Sequence, residues 1–379
     1  MRRAVILNDT RGHHHFGCYR VMETIEQKLA SRGFDVSARS LVRQRWWDNP
    51  SFLEQMRKSD LIVINGEGTL HHGSRHGLSL LKVAEHPARR STPIALVNAL
   101  YQDNPPEWKR FIDRIDYLNT RDSWSARELE QLSRRKVRST LDFSLAGTEL
   151  LSSHSQQREQ LALGDSVRRD ANSALVRLSR KTPNSIFLPI VRTMKSSKPQ
   201  YGRVRYALRE AYIHSHTFLF RQSLNNAVFC KDHKEYCNVL QKSYLHVTGR
   251  FHGVCLSITT NTPFIGISSN SWKIEALLDD IGLDRKRLMT PEQIHVAMEE
   301  PGRMTFTDKE QELLQGALAR AQVETDQVFG EILSLVVGRS QELNENGKAA
   351  LSENTTGCVQ KLVFHEKGDP KTLRVPGSA

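Results

Sequence analysis

The chain of 379 residues reads as an α/β protein with two Rossmann-like domains facing each other across a cleft. Three observations predict this. Short apolar runs alternate with helical patterns in both halves, which implies parallel βαβ geometry. The length exceeds what one ordinary core organises, so two domains are the default. Residues 245–282 hold two consecutive strand–turn–helix units with cations in the first helical turns. In a parallel sheet such turns lie at the carboxyl edge, where open α/β sheets bind ligands.

The elements follow in order. Residues 3–7 (RAVIL) form a buried-type strand, and residues 18–32 an amphipathic helix closed by Gly33. Residues 61–64, 94–97 and 117–119 are further strands, separated by helical patterns at 78–88 and 107–115. These complete an N-terminal domain over residues 1–150. The 61–64 strand runs into Asn65-Gly66-Glu67-Gly68-Thr69, a backbone-exposing loop at the ligand edge. Residues 151–184 are polar and rich in Ser, Gln and Arg, and are expected to be a linker with a helical piece. The C-terminal domain spans 185–340. It opens with the strand SIFLPIV, continues through a strand at 227–230 and a helix at 235–241, and ends in a long helix at 307–337. That helix carries Leu314, Leu318, Ala321, Thr325, Val328, Ile332 and Leu335 on one face. Residues 341–379 are polar and are expected to form a mostly disordered tail.

Lys and Arg number 54 against 42 Asp and Glu, a formal charge of +12. No long basic run and no aromatic-interleaved stripe accompanies it, which argues against a nucleic-acid partner. A diffuse basic surface suits acidic substrates or an anionic membrane face, the latter as a peripheral association. Only four apolar residues follow Met1-Arg2-Arg3, too few for a signal peptide, so a cytoplasmic protein is expected. The 5 cysteines are scattered, which fits free thiols in a reducing compartment. No P-loop or dinucleotide fingerprint occurs, which counts against NTP hydrolysis and NAD chemistry.

Within 245–282, Arg250 and His252 fall in the first turn of one helix and Lys273 in the first turn of the next. A helix N-terminus presents free N–H groups and partial positive charge, so these side chains complete an anion site. The run TGRFHG, the apolar helix after it and the Ser-rich loop ending in Lys273 resemble the polysaccharide pyruvyl transferases. Weaker similarity occurs at DLIVINGEGTLHH (residues 60–72) and NTRDSWSAREL (residues 119–129). The resemblance implies a GT-B-like pair of domains. It also implies transfer of the enolpyruvyl unit of phosphoenolpyruvate onto a sugar of a bacterial surface or capsular polysaccharide, or its precursor, with a pyruvate ketal and phosphate as products. Phosphoenolpyruvate is then the donor substrate, with no cofactor, and the partner is a glycan or lipid-linked sugar acceptor.

That chemistry needs cations for two anionic groups and a proton donor near the methylene carbon. Arg250 can fork onto a carboxylate or phosphate, and His252 is the candidate general acid. Arg121 matches the family's arginine–acid pattern and is expected to reach across the cleft to the same anion, whereas Asp122 or Ser123 can cap the next helix. Lys273 and Ser269 are assigned to substrate binding, together with Gly66, Gly68, Asn8, His15 and His71 from the cleft-facing loops of the first domain. The Gly-Asp pair common in the family's first loop is absent from Gly12-His13-His14-His15-Phe16-Gly17. No metal is assigned: His13, His15, His71 and His72 lack a Cys or carboxylate at ligand spacing. A GT-B glycosyltransferase using a nucleotide sugar, with Glu275 as a ribose contact, is the main alternative. A non-catalytic glycan-binding protein is the third.

Overall fold

The computed structural model describes residues 1–147, 158–198 and 201–360. The chain divides into two compact units, residues 1–333 and 334–379, and both sheets lie in the first. Each sheet is parallel throughout.

The N-terminal sheet comprises β1 (Arg2–Asp9), β2 (Phe34–Leu41), β3 (Leu61–His71), β4 (Ile94–Gln102), β5 (Tyr117–Thr120) and β6 (Arg138–Ser139), in the order β2-β1-β3-β4-β5-β6. Its helices are α1 (Phe16–Ser31), α2 (Pro50–Arg57), α3 (Arg75–Leu81), α4 (Lys109–Ile112) and α5 (Ser123–Ser133). Residues 4–7 of β1 and 61–64 of β3 are fully buried apolar runs, the pattern of strands covered on both faces. Asn49 and Asp122 cap α2 and α5 through their side chains, and Pro50 at the first position of α2 has no N–H to leave unpaired.

The C-terminal sheet comprises β7 (Gln160–Ser166), β8 (Ser185–Phe187), β9 (Ser243–Gly249) and β10 (Phe264–Gly266), in the order β10-β9-β7-β8. Around it lie α6 (Arg169–Lys181), α7 (Arg203–Ser223), α8 (His233–Gln241), α9 (Phe251–Thr259), α10 (Lys273–Ile281) and α11 (Pro291–Glu299), followed by α12 (Asp308–Gln360). Every residue of α9 is buried, as expected of a helix apolar on all sides. Phe251, Val254, Cys255 and Ile258 pack with Leu141 and Leu145 of the first domain.

Strand order reverses between β1 and β3 in one sheet and between β7 and β9 in the other. Each reversal opens a crevice at the carboxyl strand ends. A main-chain seam joins the two domains beside these crevices. Phe16 donates its N–H to the Ile190 carbonyl at 3.1 Å, and Arg192 donates to His14 at 2.8 Å, with an antiparallel bridge between His15 and Val191.

Several elements differ from expectation. Residues 158–184 are not a linker: they supply β7, the central partner of β8 and β9, and α6. The polar surface of α6 hides a narrow buried stripe of Ala171, Leu175, Leu178 and Ser179, and residues 148–157 lie outside the described set. Strand β3 continues through the glycine run expected to be a loop, with a register shift between Glu67 and Leu70. Residues 227–230 contribute only a bridge from Ala227 to Phe187. Helix α12 runs to Gln360, past the expected start of a tail at 341, with no proline to break it; residues 361–379 lie outside the described residues.

Candidate active site

A cavity of about 1030 Å³ lies over the carboxyl edges of both sheets. Of the sequence candidates, Arg121, Arg250, His252, Lys273, His15 and Gly68 line it. The two βα turns explain three of them. Strand β9 ends at Gly249, and Arg250 is the N-cap of α9 with extended backbone and no side-chain cap. His252 follows in the first turn, and Lys273 begins α10.

Arg250 donates from Nε to Asp165 Oδ2 at 2.7 Å, and its Nη2 lies at the same distance. Asp165, next to last in β7, also accepts the Ile190 N–H at 3.0 Å. Its carboxylate therefore aims the guanidinium while about a quarter of the Arg250 side chain stays open to the cavity. Lys273 Nζ donates to Asn270 Oδ1 at 2.9 Å. Burial, with Arg121 and Arg250 nearby, pushes this ammonium down from the usual lysine value to about 7. An anionic ligand would relieve that crowding of cations.

Arg121 is 2 % exposed and leaves the end of β5 to stack on Phe251, its guanidinium 4.2 Å from the ring centroid. Its Nη1 lies 3.3 Å from Asp142 Oδ2, and its buried Nε has no partner among the described residues. The other Asp142 oxygen lies 3.5 Å from His252 Nε2. Burial alone would raise the Asp142 carboxyl, but His252 and Arg121 hold it below the usual carboxylate range, and the Ser144 N–H donates to it at 2.9 Å. Asp142 therefore links the arginine and the histidine of the site.

Glu67 faces the same ring nitrogen of His252, with Oε1 at 3.8 Å from Nε2. Its Oε1 accepts from Cys18 Sγ at 2.9 Å, and Oε2 from Thr10 at 2.5 Å and Asn65 at 3.2 Å. The residue has a left-handed backbone with φ of 34°, a conformation that non-glycine residues hold only when their surroundings enforce it. Gly17, in the first turn of α1, lets His252 sit against that helix: a Cβ there would lie 2.2 Å from His252 Cβ.

Asn8, Gly66, Ser269 and His71 do not line the cavity. Asn8 spends its amide on the Asn65 carbonyl at 2.6 Å and Thr69 Oγ1 at 3.0 Å, holding the β3 segment. Gly66 admits the close approach of β4, since a Cβ would lie 2.7 Å from the Ala99 Cα. Ser269 donates to Asn270 Oδ1 at 3.2 Å, beside the Lys273 contact. Burial first, then Lys273, push His71 down to about 4.

Glu67, Asp142 and Asp165 are absent from the sequence-derived set. Glu67 sits between the two glycines that drew attention, and Asp165 falls in the supposed linker. Asp142 follows a strand of two residues and carries no local signal. Among the described residues, one group can hold a metal ion: His15, Cys18 and His252 offer ligand atoms within 4.8 Å of one another. Burial first, then Glu67, raise the Cys18 thiol well above its usual value, and the thiol donates to Glu67 Oε1.

The family description Polysaccharide pyruvyl transferase matches residues 21–271. The chain belongs to this family. The match covers the N-terminal sheet from α1 onward and the C-terminal site through the loop before α10. No curated protein sequence matches the chain. Among solved structures, an α-glucosyltransferase in complex with UDP and a 13-mer DNA superposes with a TM-score of 0.50 at 10 % identity, covering 88 % of this chain and 99 % of its own. The UDP-GlcNAc 2-epimerase of Neisseria meningitidis gives 0.50 at 9 %, covering 88 % and 100 %. That of Rickettsia bellii gives 0.50 at 13 %, covering 89 % and 97 %. These likenesses establish the two-domain GT-B-like fold of a pyruvyl transferase family member.

Proposed function

We propose that the protein transfers the enolpyruvyl unit of phosphoenolpyruvate to a sugar of a bacterial surface polysaccharide or its precursor, forming a pyruvate ketal. The observation that carries this reading is the convergence of Arg121, Arg250 and Lys273 on one cavity with His252 among them. Three cations suit the phosphate and carboxylate of one small ligand, and the family membership supports pyruvyl transfer in general.

In this reading His252 protonates the methylene carbon, and the electrons of the C=C bond form the new C–H bond. The electron-poor C2 is attacked by one sugar hydroxyl, whose proton passes to a base. The C–O bond to phosphate breaks and the phosphate leaves with the electron pair. A second hydroxyl attacks C2, closes the ketal and yields its proton. The product therefore holds one methyl group and two new C–O bonds, and the second proton leaves with the phosphate. Glu67 and Asp142 both present a carboxylate oxygen to Nε2 of His252, while Arg250, Arg121 and Lys273 neutralise the donor. Incubation with phosphoenolpyruvate and candidate glycans should release inorganic phosphate. Release of a nucleotide from a sugar donor, with none of phosphate, would instead support a glycosyltransferase. Glu275, the ribose contact of that alternative, does not line the cavity.

A further inference from the structure

Helix α7 has 21 residues, of which only Ile213 is buried. At 100° per residue, Val204, Leu208, Tyr212, Phe218 and Leu219 fall within an arc of roughly 120°. Their exposures are 74 %, 66 %, 50 %, 61 % and 66 %. An apolar stripe so open to solvent marks an interaction surface. Arg205 borders it on one side, and Arg203 and Arg221 on the other. None of these three forms an ion pair among the described residues. The helix's one acidic residue, Glu210, is turned inward, accepting from Ser197 Oγ at 2.6 Å. The opposite face carries Arg209, His216 and Phe220, which line the active-site cavity.

We propose that α7 lies in the surface of an anionic lipid bilayer and thereby presents the cavity to a lipid-linked sugar acceptor. An apolar stripe bordered by arginines is the pattern of a helix that rests in the headgroup region, with charge attraction adding to apolar burial. Charge complementarity selects this occupant: the stripe has cations on both borders, and the chain carries a formal +12. No described helix is long and apolar enough to cross a membrane, so the contact lies on the bilayer and does not span it. The acceptor half of the proposal rests on the pyruvyl transfer reading; the membrane contact does not.

The test is co-sedimentation with phosphatidylcholine vesicles, with and without phosphatidylglycerol, for the wild type and for the double variant Leu208→Gln, Leu219→Gln. The wild type should bind the anionic vesicles, less so at high salt, and the variant should bind roughly tenfold more weakly or not at all. Phosphate release on a water-soluble glycan should be the same in both proteins. Equal vesicle binding by the two proteins, or none by the wild type, overturns the proposal. So does a wild-type dimer in solution that the variant reduces to monomer, because the stripe would then belong to a second copy. Failure of the transfer reading shows separately, as absence of phosphate release with every acceptor while vesicle binding persists.

Discussion

Replacing Gly17 with alanine should cripple the enzyme although a helix ordinarily prefers alanine there. Glycine inside a helix costs about 0.5–1 kcal/mol relative to alanine, so propensity alone predicts a small gain in stability. The structure predicts the opposite sign. An added Cβ would stand 2.2 Å from both Cβ and Cγ of His252 and 2.6 Å from its Nδ1. Carbon atoms pack at about 3.5 Å or more, so something must move by about 1.3 Å. The clash involves the His252 Cβ, so turning the ring cannot relieve it, and α1 and α9 must separate. Overpacking of this kind costs about 1–3 kcal/mol, and a displacement of 1 Å at a reacting group can cost about 10²-fold in rate. Phosphate release from phosphoenolpyruvate would be measured beside thermal unfolding. Turnover should fall by roughly 10²-fold or more, with a lower Tm and a smaller change in the Michaelis constant for phosphoenolpyruvate. Gly316→Ala in α12, where a new Cβ meets nothing within 4 Å, is the control and should be neutral or stabilising. Wild-type turnover and a raised Tm in Gly17→Ala would refute the placement of His252 against α1.

His252→Asn should lower turnover by about 10²–10⁴-fold, and the wild-type reaction in deuterated water should place deuterium in the product methyl group; unlabelled product would exclude protonation of the methylene carbon from solvent-exchanged groups. Arg250→Ala should weaken phosphoenolpyruvate binding by about 1.5–3 kcal/mol and leave Asp165 without its cation, whereas Arg250→Lys should rescue only part of the loss because it cannot fork; an unchanged Michaelis constant in the alanine variant would remove Arg250 from the anion site. Lys273, pushed down to about 7, is charged below that pH and neutral above it, so the Michaelis constant for phosphoenolpyruvate should rise as pH climbs past 7. Lys273→Arg should flatten that rise, and a wild-type constant flat from pH 6 to 9, with Lys273→Ala leaving it unchanged, would show that the ammonium does not bind the donor.

What the sequence revealed about the site was local, and what it hid was long-range. Arg250, His252 and Lys273 were legible because a strand, a turn and a helix start fix where such residues point over a few positions. Arg121 was legible in the same way, as the residue after β5. Their carboxylate partners were not. Asp165 stands 85 positions from Arg250, and Glu67 meets Cys18 across 49 positions. Asn8 and Gly66 carried the composition of a binding loop, yet their side-chain space is spent on neighbouring strands. The alternation of strands and helices exposed the fold class, but β7 was obscured within a stretch that read as a polar connection, whose expected helical piece is α6 with four buried positions. The strands β8 and β10 were legible as short apolar runs, although only three residues of each take part in the sheet.

The seam between residues 14–16 and 190–192 also bears on the timing of the catalytic cycle. The amide protons of Phe16 and Arg192 are tied across it and exchange with solvent only when that junction comes apart. Their exchange rates thus place a clock on the enzyme itself. If these two amides exchange more slowly than the enzyme turns over, successive products depart without the domains letting go of each other at this junction. Release of the glycan must then be governed by rearrangements elsewhere around the cavity.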